Sequence, residues 1–177
     1  MTGPSTQRRL VKVDPGTLEV TDTYEMPNGA GPVRAGLGAV WVTNPVMSAL
    51  HRVDPAMGEV TDTIEVGPGP RFLAVGEGGV WVMNQEDGTV SHVDPATNAV
   101  VATIDTGIPI EGGDIAVGGG SVWVRGGPEL LARIDPATDA VIERYRPPAG
   151  SGSVAADDGA VWVTAHDVST IWRLPLH

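Results

Sequence analysis

Apolar and polar positions alternate in short runs along most of the chain. The segment Arg71 to Gly107, RFLAVGEGGVWVMNQEDGTVSHVDPATNAVVATIDTG, shows the pattern. LAV leads into the turn GEGG, VWVMN into QEDG, TVSHV into DPATN, and AVVATI into a Gly/Pro-containing link. Each run is rich in Val, Ile, Thr or Trp and is bounded by turn residues, which predicts four short strands. No segment sustains a 3.6-residue apolar period, so almost no helix is expected.

The same four-run unit recurs. VDPGTLEV, VDPAMGEV, VDPATNAV and IDPATDAV place Asp14, Asp54, Asp94 and Asp135 at spacings of 40, 40 and 41 residues. A second landmark, a V-W-V run, places Trp41, Trp81, Trp123 and Trp162 at spacings of 40, 42 and 39. Two landmarks sharing one period define a repeat. A single four-stranded unit cannot bury both its faces, whereas units stacked around an axis bury them against each other. The expected fold is therefore all-β, a β-propeller of about four four-stranded blades per chain. Strands are lettered A (inner) to D (outer). Read as a single repeat domain over 1–177, the chain divides into strands C and D (1–30), three full blades (31–69, 70–109 and 110–149) and strands A to C (150–177).

The WVTN-type strand, the basic residue before V/I-D-P-A-T, and the following V-x-x-T-I strand resemble the YVTN family of bacterial β-propeller repeats. They are also similar to the streptogramin (virginiamycin B) lyase family. The resemblance covers nearly the whole chain. It implies the propeller fold, commonly with seven or so blades. A chain holding about four is then either a piece whose other blades lie upstream, or a partial ring closed by a second chain. A homodimer or other homo-oligomer is the expected form. An open half-ring would expose apolar blade faces and unpaired strand edges. A strained four-blade closed ring is the fallback.

Composition narrows the partners. The net charge is −11 with only 11 Lys and Arg spread along the chain, which argues against nucleic acid and anionic membranes. No run of 18 apolar residues is present, and MTGPSTQRRL carries no apolar signal core. An extracytoplasmic location stays open for a piece of a longer precursor. The absence of cysteine removes disulfides, thiolate nucleophiles and Cys-based metal sites.

The recurring Asp-Pro reads as a turn between strands C and D, with Asp accepting backbone N–H bonds. Lys12, Arg52, His92, Arg133 and Arg173 share the position two residues before it or its equivalent. A hairpin centred on Thr17 sets Lys12 against Asp22, and the same register sets Arg52 against Asp62 and Arg133 against Glu143. His92 then faces Ala102. Cross-strand ion pairs are expected for the first three. The Trp series is expected to pack between blades.

Function is sought where units differ from one another, on the face bearing the strand A entries and the B–C loops. Arg34 stands where the other units have Ala74, Ala116 and Ala155. Arg71, Glu111 and Asp114 are specific to their units. Asn44, Asn84, Arg125 and His166 lie at or near the ends of strand B. These eight are the candidate ligand-binding residues, for a protein, peptide or small polar ligand. No G-x-S-x-G, H-E-x-x-H, P-loop or EF-hand pattern occurs, and no resident cofactor is expected. The lyase resemblance implies an alternative: elimination that opens a cyclic ester, with His166 as general base and Glu86, Glu111 or Asp114 holding Mg²⁺ or orienting groups. Lyase-like units tend to end strand B with Glu, where this chain has Asn44, Asn84, Gly126 and Ala165. A non-catalytic binding scaffold is therefore the first expectation.

Overall fold

The computed structural model describes residues 8–107, 112–126, 129–146 and 152–176. The described residues contain strands and no helix, so no helix is long and apolar enough to cross a membrane. The strands form five antiparallel sheets, numbered I to V in chain order. Sheet I holds β1 (Arg8–Val13) and β2 (Val20–Met26). Sheet II holds β3 (Val33–Gly36), β4 (Ala39–Asn44), β5 (Ala49–Val53) and β6 (Val60–Glu65). Sheet III holds β7 (Pro70–Gly76), β8 (Gly79–Asn84), β9 (Thr89–Asp94) and β10 (Ala99–Asp105). Sheet IV holds β11 (Asp114–Gly118), β12 (Ser121–Gly126), β13 (Glu129–Asp135) and β14 (Ala140–Tyr145). Sheet V holds β15 (Val154–Ala156), β16 (Ala160–Ala165) and β17 (Thr170–Pro175).

Within each sheet the strands lie in chain order. The first strands of sheets II to V touch their neighbours in sequence: β3 meets β7, β7 meets β11 and β11 meets β15. They are the inner strands, and the sheets are propeller blades around a common axis. No contact of comparable extent joins β15 to β3 among the described residues.

The core lies in the seams between blades. At the II/III seam, Trp41, Leu50 and Ile64 of sheet II pack on Leu73, Val80, Val82 and Val93 of sheet III. The III/IV seam repeats this with Trp81, Val90 and Ile104 against Ile115, Val122, Val124 and Ile134. The IV/V seam sets Trp123 and Leu131 against Val154, Val161 and Val163. One face of each blade supplies a Trp, and the facing blade supplies branched aliphatics. Trp41, Trp81 and Trp123 are fully buried. Their indole N–H groups donate to the carbonyls of Gly36, Gly76 and Gly118 at 3.1, 3.0 and 2.9 Å. The one polar atom that each Trp takes into the seam is thereby satisfied.

The Asp-Pro turns are as read from the sequence. Asp14 Oδ1 accepts the N–H groups of Gly16 and Thr17, and Asp54 Oδ1 those of Ala56 and Met57. Asp94 and Asp135 accept from Ala96 and Ala137, and from the hydroxyls of Thr97 and Thr138. These bonds stabilise the charged carboxylates and lower their pKa values. Four residues after each Asp, the chain enters the left-handed region at Leu18, Gly58, Asn98 and Asp139.

The strand C basic residues require a correction. The expected register is present: Lys12 faces Asp22, Arg52 faces Asp62, Arg133 faces Glu143, and His92 faces Ala102. Only Arg133 and Glu143 form the ion pair, at 3.6 Å, and Glu143 also accepts the Tyr145 hydroxyl at 2.7 Å. The principal partner of this position is the Trp on the neighbouring strand. Arg52 and Arg133 lie over Trp41 and Trp123 at 5.5 and 5.3 Å, and His92 stacks on Trp81 at 3.8 Å. The tip then reaches the turn of the next blade. Arg52 donates to Asn98 Oδ1 at 2.8 Å, and His92 Nδ1 meets Asp139 Oδ1 at 2.8 Å. A half-buried cation gains more from a ring face and a fixed acceptor than from an exposed carboxylate screened by water.

Position 79 fits this geometry. A Cβ on Gly79 would overlap His92 Nε2, whereas Ser121, at the equivalent place in sheet IV, accepts a bond from Arg133 Nε. Glycine leaves room for the imidazole to lie flat on Trp81. Gly79→Ala is expected to push His92 off the ring and cost about 1–3 kcal/mol, the usual range for overpacking. Urea denaturation measures it, with His92→Ala in the same background expected to remove most of the penalty.

Candidate functional site

The four inner strands border an open recess of about 270 Å³ on the propeller axis. It is lined by residues of β3, β7, β11 and β15, including Arg34, Ala74, Asp114, Ala116 and Ala155. Register explains the ring. Arg34, Ala74, Ala116 and Ala155 each pair across to the blade's Trp, so they are equivalent positions on successive inner strands. Three short side chains leave the axis open, and the fourth position carries a guanidinium. Arg34 is exposed, and its Nη1 donates to the carbonyl of Val33 at 3.0 Å. No ion pair involves Arg34 among the described residues.

Asp114 lines the same recess, but its carboxylate is committed to the backbone. Oδ1 accepts the N–H of Ile115 at 2.9 Å, and Oδ2 the N–H of Val154 in sheet V at 3.4 Å. It ties two inner strands together rather than pairing with Arg34. Arg71 sits where the β7–β8 register shifts between Pro70 and Phe72, and it is exposed. A bulge re-aims a side chain in this way. Glu111 lies outside the described residues.

Asn44, Asn84 and Arg125 are fully buried. Asn44 closes the β4–β5 turn: Nδ2 donates to Asn28 O at 3.0 Å and meets His51 Nε2 at 3.1 Å, while Oδ1 accepts Met47 N. Asn84 repeats the device with donors to Thr89 and Ser91 hydroxyls, both at 2.9 Å. Its Oδ1 is buried without a hydrogen-bond partner. Arg125 Nε donates to Thr164 O in sheet V at 3.3 Å. Burial lowers its pKa, and nearby Asp167 acts in the opposite direction.

His166 is exposed, on a shallow recess with Ser169, Thr170 and Ile171. Among the described residues no three His, Asp or Glu side chains converge to hold a metal ion. Asp114 is committed to two backbone amides and Glu111 lies outside the described residues, so the described residues do not form a Mg²⁺ site.

His51 is a buried polar residue that the repeat did not single out as functional. If Asn44 donates to its Nε2, the proton lies on Nδ1 and is given to Thr63 Oγ1 at 3.0 Å, the neutral tautomer. Burial lowers its pKa. Its unit-to-unit signal was present, since Asn44/His51 and Asn84/Ser91 occupy matching places.

No family model and no curated protein sequence matches the chain. Solved structures do. A structure described as Kuenenia stuttgartiensis hydrazine synthase aligns over 79% of this chain and 46% of its own, with TM-score 0.60 and 17% identity. A streptogramin B lyase aligns over 91% of this chain and 60% of its own, at TM-score 0.69 and 18% identity. A computationally designed protein, Ika4, aligns over 86% of this chain and 94% of its own, at TM-score 0.72 and 13% identity. The chain thus spans about half the length of the first two and nearly all of the third. At these identities the likeness establishes the propeller fold and nothing finer.

The folded pKa of His51 lies below its unfolded value, so the unfolded state binds the extra proton first. Stability from this group is complete above about pH 6.5 and falls as pH drops through the window beneath it. Urea unfolding between pH 7.5 and 5 should show a smaller loss for His51→Gln than for the natural sequence. An NMR midpoint for His51 below that of an unfolded-chain histidine is expected alongside.

Proposed function

We propose that this chain is a non-catalytic propeller scaffold that binds an anion-bearing small molecule or peptide at the axial face. Self-association completes its ring. The carrying observation is Arg34: an exposed guanidinium on the axis, at the one inner-strand position that differs from the alanines of the neighbouring blades. A planar guanidinium offers fork-like donors suited to a carboxylate. The surrounding blades supply a rigid frame, because each inner strand is pinned by a Trp seam behind it. Asp114 contributes by locking β11 to β15, which holds the mouth of the recess in shape. Arg71, on the bulge of β7, is the second candidate cation on this face.

The lyase alternative has only fold likeness in its favour. Among the described residues no three His, Asp or Glu side chains converge to hold the metal that the resemblance would assign.

Calorimetric titration with succinate and with a short acidic peptide tests the reading. Arg34→Ala is expected to weaken binding of the preferred probe at least tenfold, and Arg34→Lys to retain part of it. Equal affinity of the natural and Arg34→Ala chains would contradict the proposal.

A further inference from the structure

The two outer ends of the blade stack are complementary halves of the same seam. On sheet II the aliphatic side is covered by sheet I at Val42 and Val53 but uncovered at its inner strand. Val33 is 39% exposed, whereas its equivalents Leu73, Ile115 and Val154 are 1%, 3% and 6% exposed. A groove of about 340 Å³ lies there, bounded by Leu10, Lys12 and Tyr24 of sheet I and by Val33, Val40 and Pro55 of sheet II. At the opposite end, the Trp side of sheet V is uncovered. Trp162 is 46% exposed, against 0% for Trp41, Trp81 and Trp123. Ile171, equivalent to the fully buried Leu50 and Leu131, is 67% exposed.

The occupant of the groove can be read from the three intact seams. Leu10 and Met26 of sheet I already pack on Val42 and Val53, in the places that Leu50 and Val66 hold at the next seam. No described strand fills the places of strands A and B in sheet I. The residue wanting at the groove is the strand B Trp. Lys12 stands where Arg52 and Arg133 lie over such a Trp, and it has no side-chain partner among the described residues.

We infer that the groove between sheets I and II receives strands β15 and β16 of a second copy of this chain, with Trp162 of that copy inserted beneath Lys12. This rests on the self-association reading given above and names its junction. The composite blade takes strands A and B from one copy and strands C and D, β1 and β2, from the other. In the composite blade β1 displaces β17 from its pairing with β16, Lys12 takes the place of Arg173, which lies over Trp162 at 5.7 Å in the single chain, and Val11 and Val13, 50% and 48% exposed there, come to the places of Trp172 and Leu174. The contact is head-to-tail and closes with two copies as a ring of eight blades, within the range propellers adopt.

The chain has no cysteine, so introduced thiols report on the junction alone. At two of the three intact seams, a Cβ on Gly36 or Gly76 would stand 3.4 or 3.8 Å from Cβ of Val75 or Val117, within disulfide reach, whereas at the third a Cβ on Gly118 would meet the backbone of Ala156. The equivalent pair at the proposed junction is Asp157 of one copy and Ala35 of the other. Chains carrying Ala35→Cys and chains carrying Asp157→Cys are mixed, oxidised and run without reductant, beside sedimentation equilibrium of the natural sequence. The expected result is twice the 18.3 kDa chain mass in solution and a covalent dimer only in the mixture. Trp162→Glu and Val33→Glu should each return the chain to monomer; Trp162 is already exposed, so its loss leaves the single chain folded. A dimer without the mixed crosslink would overturn this junction while leaving self-association standing. A monomer whose Trp162 is shielded from iodide quenching would mean that the chain closes on itself, overturning both. A monomer with Trp162 quenched would also overturn both.

Discussion

The fold depends on one contact, repeated: a strand B tryptophan laid into the aliphatic face of the next blade. Each buried Trp removes on the order of 150–250 Å² from water. At about 25 cal/mol per Å² this is roughly 4–6 kcal/mol per seam as an upper bound. No blade could bury that area alone. The short strands and tight turns of this chain are therefore held by their neighbours rather than by their own sheets. The remaining features of the seam serve the Trp. A glycine carbonyl takes its N–H, a cation or imidazole covers its outer face, and the turn of the following blade fixes that cover.

Much of this was legible from periodicity. Two landmarks with one period gave the blades, the strand order and the cross-strand register, because strand pairing in a hairpin is local and its turn chemistry is explicit. The partners of the strand C bases were not legible from one hairpin. Arg52 and His92 reach residues 46 and 47 positions onward, one period beyond their own turn. A hairpin-level argument stops short of that neighbour. The signal was nonetheless present: Asn98 and Asp139, which can accept, follow the blades with Arg52 and His92, while Gly58 follows the blade with Lys12. Glycine at 79, in the one blade with a histidine at the strand C base position, was a second trace of the same contact.

The candidate site divides along burial. Asn44 and Asn84 stand where later units have Gly126 and Ala165, and Arg125 is specific to its unit, yet their side chains are spent inside the blades on turns and on a neighbouring strand. Sequence departures at these positions reflect how each B–C turn is closed. Arg34 and Asp114 do reach the axis, and register alone placed Arg34 among the alanines. What sequence could not reveal was that Asp114 bonds to the backbone of the next blade, since that amide belongs to a strand forty residues onward. Among the described residues Arg34 is exposed on the axis of the blades, and Val33 and Trp162 are exposed at the two ends of the stack.

If the seam is the unit of stability, the chain behaves as a nearly one-dimensional stack in which damage passes to the blades on both sides of a seam and fades beyond them. Hydrogen exchange of Trp81→Ala is the direct measurement. Trp81 belongs to the III/IV seam, so amides of β7 to β14 should lose protection together, while those of sheet V change little. Loss confined to sheet III, or spread equally over every sheet, would contradict the account.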